Sequence, residues 1–135
     1  MKHVLALFLL FVSYCVCAQP YETGRRSIVF TDNNRNARAV PTDVYYPAQT
    51  AGNNVPIVTG TNRFPVVVFG HGFLTPPNAY RWLADTLVKN GYVVAFPLTE
   101  EGISPNHLDF GIDLNFLAGR ITSLHDSSSS FLFQR

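Results

Sequence analysis

Two stretches of this chain, PVVVF at residues 65–69 and YVVAF at residues 92–96, are apolar at every position. A strand with one wet face alternates apolar and polar residues. A strand apolar at successive positions needs both faces covered. Between the two lies a helical pattern. Trp82, Leu83, Thr86, Leu87 and Asn90 recur at three- and four-residue spacing, with Arg81, Asp85 and Lys89 on the other side. Trp82 is expected in the core. A strand, a helix and a second two-sided strand make a βαβ crossover, which belongs to a mostly parallel sheet with helices on both faces.

The flanking residues fit that plan. Thr75 or Asn78 is positioned to cap the helix, Pro76 and Pro77 suit a first turn, and Gly91 suits the C′ position. Upstream, residues 27–31 read as a strand, 32–34 as a turn, and 39–46 as a second strand ended by Pro47. These two strands are expected to pair antiparallel. Tyr45 and Tyr46 sit on opposite faces, so one is expected inside and one outside. Residues 48–62 read as a loop with a short extended piece at 55–58. Residues 98–106 read as a second loop. A second helix is expected over 107–124, with Leu108, Ile112, Phe116, Leu117 and Ile121 as its apolar stripe. Ser127 to Ser130 read as a flexible loop. Phe131, Leu132 and Phe133 could begin another element. The expected fold class is α/β: two antiparallel strands, then β-α-β-α. Two central strands leave such a sheet incomplete, so the chain is expected to be the front portion of a larger α/β domain.

The N-terminus reads differently. Lys2 and His3 precede an unbroken apolar run, VLALFLLFV, and small residues follow at Val16 and Ala18. This is the pattern of a cleavable signal peptide over residues 1–18, cut after Ala18, and it implies a secreted or periplasmic location. The run is too short for a stable membrane span. Tyr14 stands directly before Cys15 where lipidation wants a small residue, which disfavours a lipoprotein. Residues 19–135 then form the domain portion, with nine Lys+Arg facing nine Asp+Glu, since Lys2 leaves with the leader. Both cysteines, Cys15 and Cys17, leave too. There is no basic patch to suggest nucleic acid.

The first apolar strand ends on Gly70, His71 and Gly72. In open α/β sheets ligands sit at the carboxyl ends of the strands. Glycine there lets a ligand approach the backbone closely, and the following N–H groups can point at a developing negative oxygen.

The stretch FPVVVFGHGFLTPPNAYRWLADTLVKNGYVVAFPLTEEG resembles the N-terminal part of the α/β-hydrolase superfamily. The branch it is most similar to holds platelet-activating-factor acetylhydrolase-like enzymes, dienelactone hydrolases, chlorophyllases and cutinase-like polyester hydrolases. VPTDVYYPA at 40–48 resembles that family's preceding strand, and residues 109–117 resemble its next helix. The resemblance covers about residues 26–124. It implies a serine esterase or lipase acting on a small-molecule, lipid or polymer ester, without a cofactor. It implies that the Phe73 backbone N–H is half of an oxyanion hole, with Gly70, His71 and Gly72 supporting the turn. His71 organises that turn and is not the catalytic base.

The family's nucleophile is a Ser in G-x-S-x-G, followed by Asp and then His. No G-x-S-x-G occurs in residues 1–135. The triad is therefore expected beyond Arg135, and residues 1–135 alone are expected to be inactive. His71, His107 and His125 precede the expected Ser and are poor triad candidates. Asp109 and Asp113, at i,i+4 spacing, are expected as solvated helix charges and not as a glycosidase pair. No metal-ligand spacing is present, so no metal site is expected. The alternative is a non-catalytic secreted binding protein or a pseudoenzyme remnant.

Overall fold

The computed structural model describes residues 21–60 and 62–133. The residues of the expected signal peptide lie outside that range. Five strands form one mixed sheet: β1 (Glu22–Asp32), β2 (Arg38–Ala48), β3 (Gly52–Asn53), β4 (Val66–Val68) and β5 (Val93–Pro97), in the order β3-β1-β2-β5-β4. Two helices, α1 (Arg81–Lys89) and α2 (His107–Ser123), follow β4 and β5 respectively.

β1 and β2 pair antiparallel along their full length, from Glu22 opposite Ala48 to Asp32 opposite Arg38. Both are longer than the sequence pattern gives, and β2 runs through Pro47. Gly24 faces Tyr46 in this register. A Cβ at Gly24 would stand 2.4 Å from the Tyr46 ring, so the close approach requires glycine there. The short turn between the strands holds Asn36 and Ala37 at positive φ, and Arg38 N donates to the Arg35 carbonyl. β4 and β5 pair parallel, as the crossover requires.

Two cores lie on the two sheet faces. One packs Val44, Tyr46, Val93 and Ala95 against Leu117 and Ile121 of α2. The other packs Tyr45, Val94 and Phe96 against Ala84 and Val88 of α1. Every residue of β5 is buried. This is the expected α/β layering.

Four expectations need correction. Tyr45 and Tyr46 are both buried, at 2% and 0%: Tyr45 packs with Phe96 and α1 on one face, and on the other Tyr46 packs on Phe131 with its hydroxyl on the Val55 carbonyl. Trp82 is 65% exposed. The small Ala84 faces the sheet instead, with Val88 one turn on, and lets α1 lie close. Neither Thr75 nor Asn78 caps the helix; a 3₁₀ turn, Pro77–Tyr80, leads into it with no side-chain cap. β4 is not enclosed between helical layers: Val66 is exposed, Val67 and Val68 are half-buried, and the strand lies at one end of the described sheet. Gly91 does take φ +83 just past the end of α1, as the pattern predicts.

These packing assignments predict opposite outcomes for two large side chains. Leu117→Ala should cost about 2–5 kcal/mol by leaving a cavity under α2, while Trp82→Ala should stay within about 0.5 kcal/mol. Urea unfolding midpoints of the two variants check both.

Candidate functional site

Strands β4 and β5 run parallel, so their carboxyl ends open on the same side. Phe69 N donates to the Ala95 carbonyl and extends the pairing one residue past β4. Gly70, His71, Gly72 and Phe73 follow directly. The chain then turns back: Thr75 N donates to the Gly72 carbonyl at 3.1 Å, and Leu74 takes φ +54. A positive φ at the third residue is the pattern of a type II turn, where glycine is the usual occupant. A leucine held there is a strained backbone of the kind that collects at functional sites.

Each residue of the turn is tied down differently. Gly70 lies under α2; a Cβ there would stand 3.1 Å from both Leu114 and Phe110. Gly72 N donates to the Tyr80 hydroxyl at 3.2 Å, and Tyr80 stacks on Phe69 with ring centroids 4.8 Å apart. His71 packs its ring on Phe110 at 4.7 Å and places Nε2 2.8 Å from the Thr99 carbonyl. Its Nδ1 stands 3.1 Å from the Gly72 carbonyl. Both neighbours are acceptors, so a neutral ring donates to one; we assign the proton to Nε2, on the shorter contact.

Phe73 stands second in the turn, where the backbone N–H has no acceptor within the turn itself. Among the described residues that N–H has no hydrogen-bond partner. The Phe73 side chain is 60% exposed and Leu74 beside it 58%. The turn thus presents a free amide donor at the carboxyl end of a sheet strand, flanked by exposed apolar side chains.

The loop opposite the turn is held by a buried ion cluster that the sequence pattern missed. Asp113 is fully buried and is not a solvated charge. It accepts from Arg35 Nη2, from Arg38 Nε at 3.0 Å and Nη2 at 2.9 Å, and from Thr99 Oγ1 at 2.8 Å. Arg38 also reaches Glu100 at 2.9 Å, and Arg35 binds Asp32 at 2.7 Å. Glu100 sits at φ +61 and accepts from Asn106 N, whose side chain caps α2. Burial alone would raise the Asp113 carboxyl; the hydrogen bonds from Arg38, Arg35 and Thr99 outweigh it and hold the group below the ordinary carboxylate range. The Asn106 amide, then Arg38, does the same for Glu100.

The expected stripe of α2 therefore holds in its second half, where Leu117 and Ile121 are buried and Phe116 packs beside them, and fails in its first half, where Asp113 is inside while Leu108 and Ile112 are exposed. No local signal marks Asp113, since its arginines lie about 75 positions away. Tyr80 and Thr99 were equally invisible, one an ordinary helix-entry aromatic, the other a loop threonine whose hydroxyl and carbonyl both meet distant partners.

His107 and His125 do not join the turn. His125 lies past the C-terminal end of α2, whereas Phe110 is in its first turn. It lines instead a pocket of about 520 Å³ between the start of β4 and the end of α2, with Phe64, Val66, Ile121 and Leu132. Among the described residues no hydrogen bond joins a serine to a histidine, no group of three or more His, Cys, Asp or Glu could hold a metal ion, and no helix is long and apolar enough to cross a membrane.

The chain is similar in structure to a ferulic acid esterase from Streptomyces cinnamoneus, with a TM-score of 0.53 and 14% sequence identity. The likeness covers 85% of this chain and 49% of that one, so the chain spans about half the length of the esterase. At this identity the likeness speaks for the fold. No protein-family model matches the sequence, and no curated protein does.

The ion cluster predicts a pH dependence. A carboxyl lowered in the folded chain contributes stability that is complete above its unfolded value, about pH 4, and that is lost as pH falls through the lower folded value. Asp113→Ala should therefore cost about 1.5–3 kcal/mol at pH 7, since it removes the hydrogen bonds of a buried carboxylate while Arg35 keeps Asp32 and Arg38 keeps Glu100. The gap to the parent should narrow as pH drops below about 4. Urea melts of both proteins at pH 7 and pH 3 measure it.

Proposed function

We propose that this chain carries the oxyanion-binding half of a serine hydrolase of the α/β-hydrolase fold. It acts on carboxylic esters through an acyl-enzyme and works in a secreted or periplasmic setting. The observation that carries this reading is the free Phe73 N–H in a strained, braced turn at the carboxyl end of β4. When a serine attacks an ester carbonyl, the carbonyl oxygen gains negative charge. A fixed amide aimed at that oxygen lowers the barrier because it needs no reorganisation during the step. Tyr80 and His71 hold the flanking residues, which keeps the Phe73 amide in place before substrate arrives.

The second donor of such a hole is the amide after the nucleophile, on a G-x-S-x-G turn. That turn is absent from residues 1–135, so the proposal assigns the Ser, Asp and His to sequence outside them. The 49% coverage of the similar esterase supports a larger whole, and that protein's ester chemistry supports the substrate class. The exposed Phe73 and Leu74 side chains give the ester's apolar part a surface. A small-molecule, lipid or polymer ester all suit it, and no cofactor is needed.

Phe73→Pro is the informative test. Proline is at home in the second position of a type II turn, so it deletes the N–H and spares the fold. In the chain extended by its genomic continuation, the parent should hydrolyse p-nitrophenyl butyrate. Phe73→Pro should lower kcat by about 10²–10³ with little change in thermal stability. An unchanged kcat in a folded Phe73→Pro variant removes Phe73 from the site.

A further inference from the structure

We infer that Asp113, clamped between Arg35 and Arg38, is a positioning residue that sets the Gly70–Phe73 turn through Thr99 and His71. The path is continuous. The Asp113 carboxylate accepts from Thr99 Oγ1 at 2.8 Å, and the Thr99 carbonyl accepts from His71 Nε2 at 2.8 Å. His71 lies two residues from the Phe73 amide. The far end of the path is anchored on the β1–β2 turn, where Arg35 and Arg38 flank two residues at positive φ. Glu100, next to Thr99, is itself in a left-handed conformation held by Arg38 and Asn106 N.

Helix α2, packed on a sheet face, would need only apolar residues to stay there. Leu117 and Ile121 supply them one and two turns further on. A fully buried carboxylate adds a desolvation penalty that apolar packing avoids. What the carboxylate adds is direction. Its oxygens fix the hairpin arginines and the Thr99 hydroxyl at once, and so fix where the Thr99 carbonyl points. The His71 ring, wedged between that carbonyl and Phe110, then has one orientation, and the turn follows it. That the turn binds an oxyanion rests on the reading proposed above; the positioning itself does not.

The test uses the 135-residue chain with ¹⁵N-labelled histidine and long-range ¹H–¹⁵N correlation spectra, His71→Gln assigning the signal. The parent should show His71 protonated on Nε2. Thr99→Val keeps the carbonyl and removes the hydroxyl that Asp113 holds. It should speed exchange of the His71 ring proton about fivefold or more, the worth of one lost hydrogen bond, and shift the Phe73 amide. Thr99→Ser should restore both signals. Thr86→Val, which removes an exposed α1 hydroxyl bonded only to its own helix, should leave them unchanged. Arg38→Lys keeps the charge and loses the fork, and should move the same two signals. The inference is overturned if Thr99→Val and Arg38→Lys fold as the parent does and leave the His71 ring and Phe73 amide unmoved. Absence of ester hydrolysis in any longer chain would overturn the proposed function and leave these signals, and the positioning, as they are.

Discussion

The carboxylate of Asp113 is the point on which the carboxyl end of the sheet depends. It is fully buried and bonded to two arginines and a threonine. Those partners come from two places, the β1–β2 turn and the loop after β5, and the Thr99 carbonyl in turn meets His71 of the turn after β4. Removing the carboxylate is costly because Arg35, Arg38 and Thr99 lose their shared acceptor, even though Arg35 keeps Asp32 and Arg38 keeps Glu100. The rest of the fold accommodates it. The long β1–β2 ladder carries the arginines to the edge of α2, and Asn106 starts α2 where Asp113 meets them.

The elements that were legible in the sequence are those whose signal is local. The two-sided runs before and after α1 do flank a helix and do pair parallel, and Gly91 ends that helix at positive φ. The antiparallel β1–β2 pair was equally readable. The four residues Gly70, His71, Gly72 and Phe73 stand at the strand end where the pattern puts them, and the structure adds how they are braced.

What was not legible depended on distant partners. Asp113 reads as a surface charge until the arginines near residue 36 are brought beside it. The expected stripe of α2 holds at Leu117 and Ile121, but in the first half of the helix the carboxylate is inside and Leu108 and Ile112 turn outward. On α1, hydropathy favours Trp82, but the close approach to the sheet favours Ala84. Tyr45 and Tyr46 obey alternation, yet both faces are covered, so alternation no longer sorts inside from outside. In each case tertiary packing decided what periodicity alone could not.

The central functional claim is that the turn after β4 belongs to a serine ester hydrolase whose nucleophile lies outside residues 1–135. The most direct measurement is the DNA sequence downstream of the Arg135 codon, read in all three forward frames. The account predicts G-x-S-x-G within about 30 residues, the reach of one further loop and strand, followed later by an Asp and a His. A stop codon directly after Arg135, with no frame restoring that motif, would contradict it.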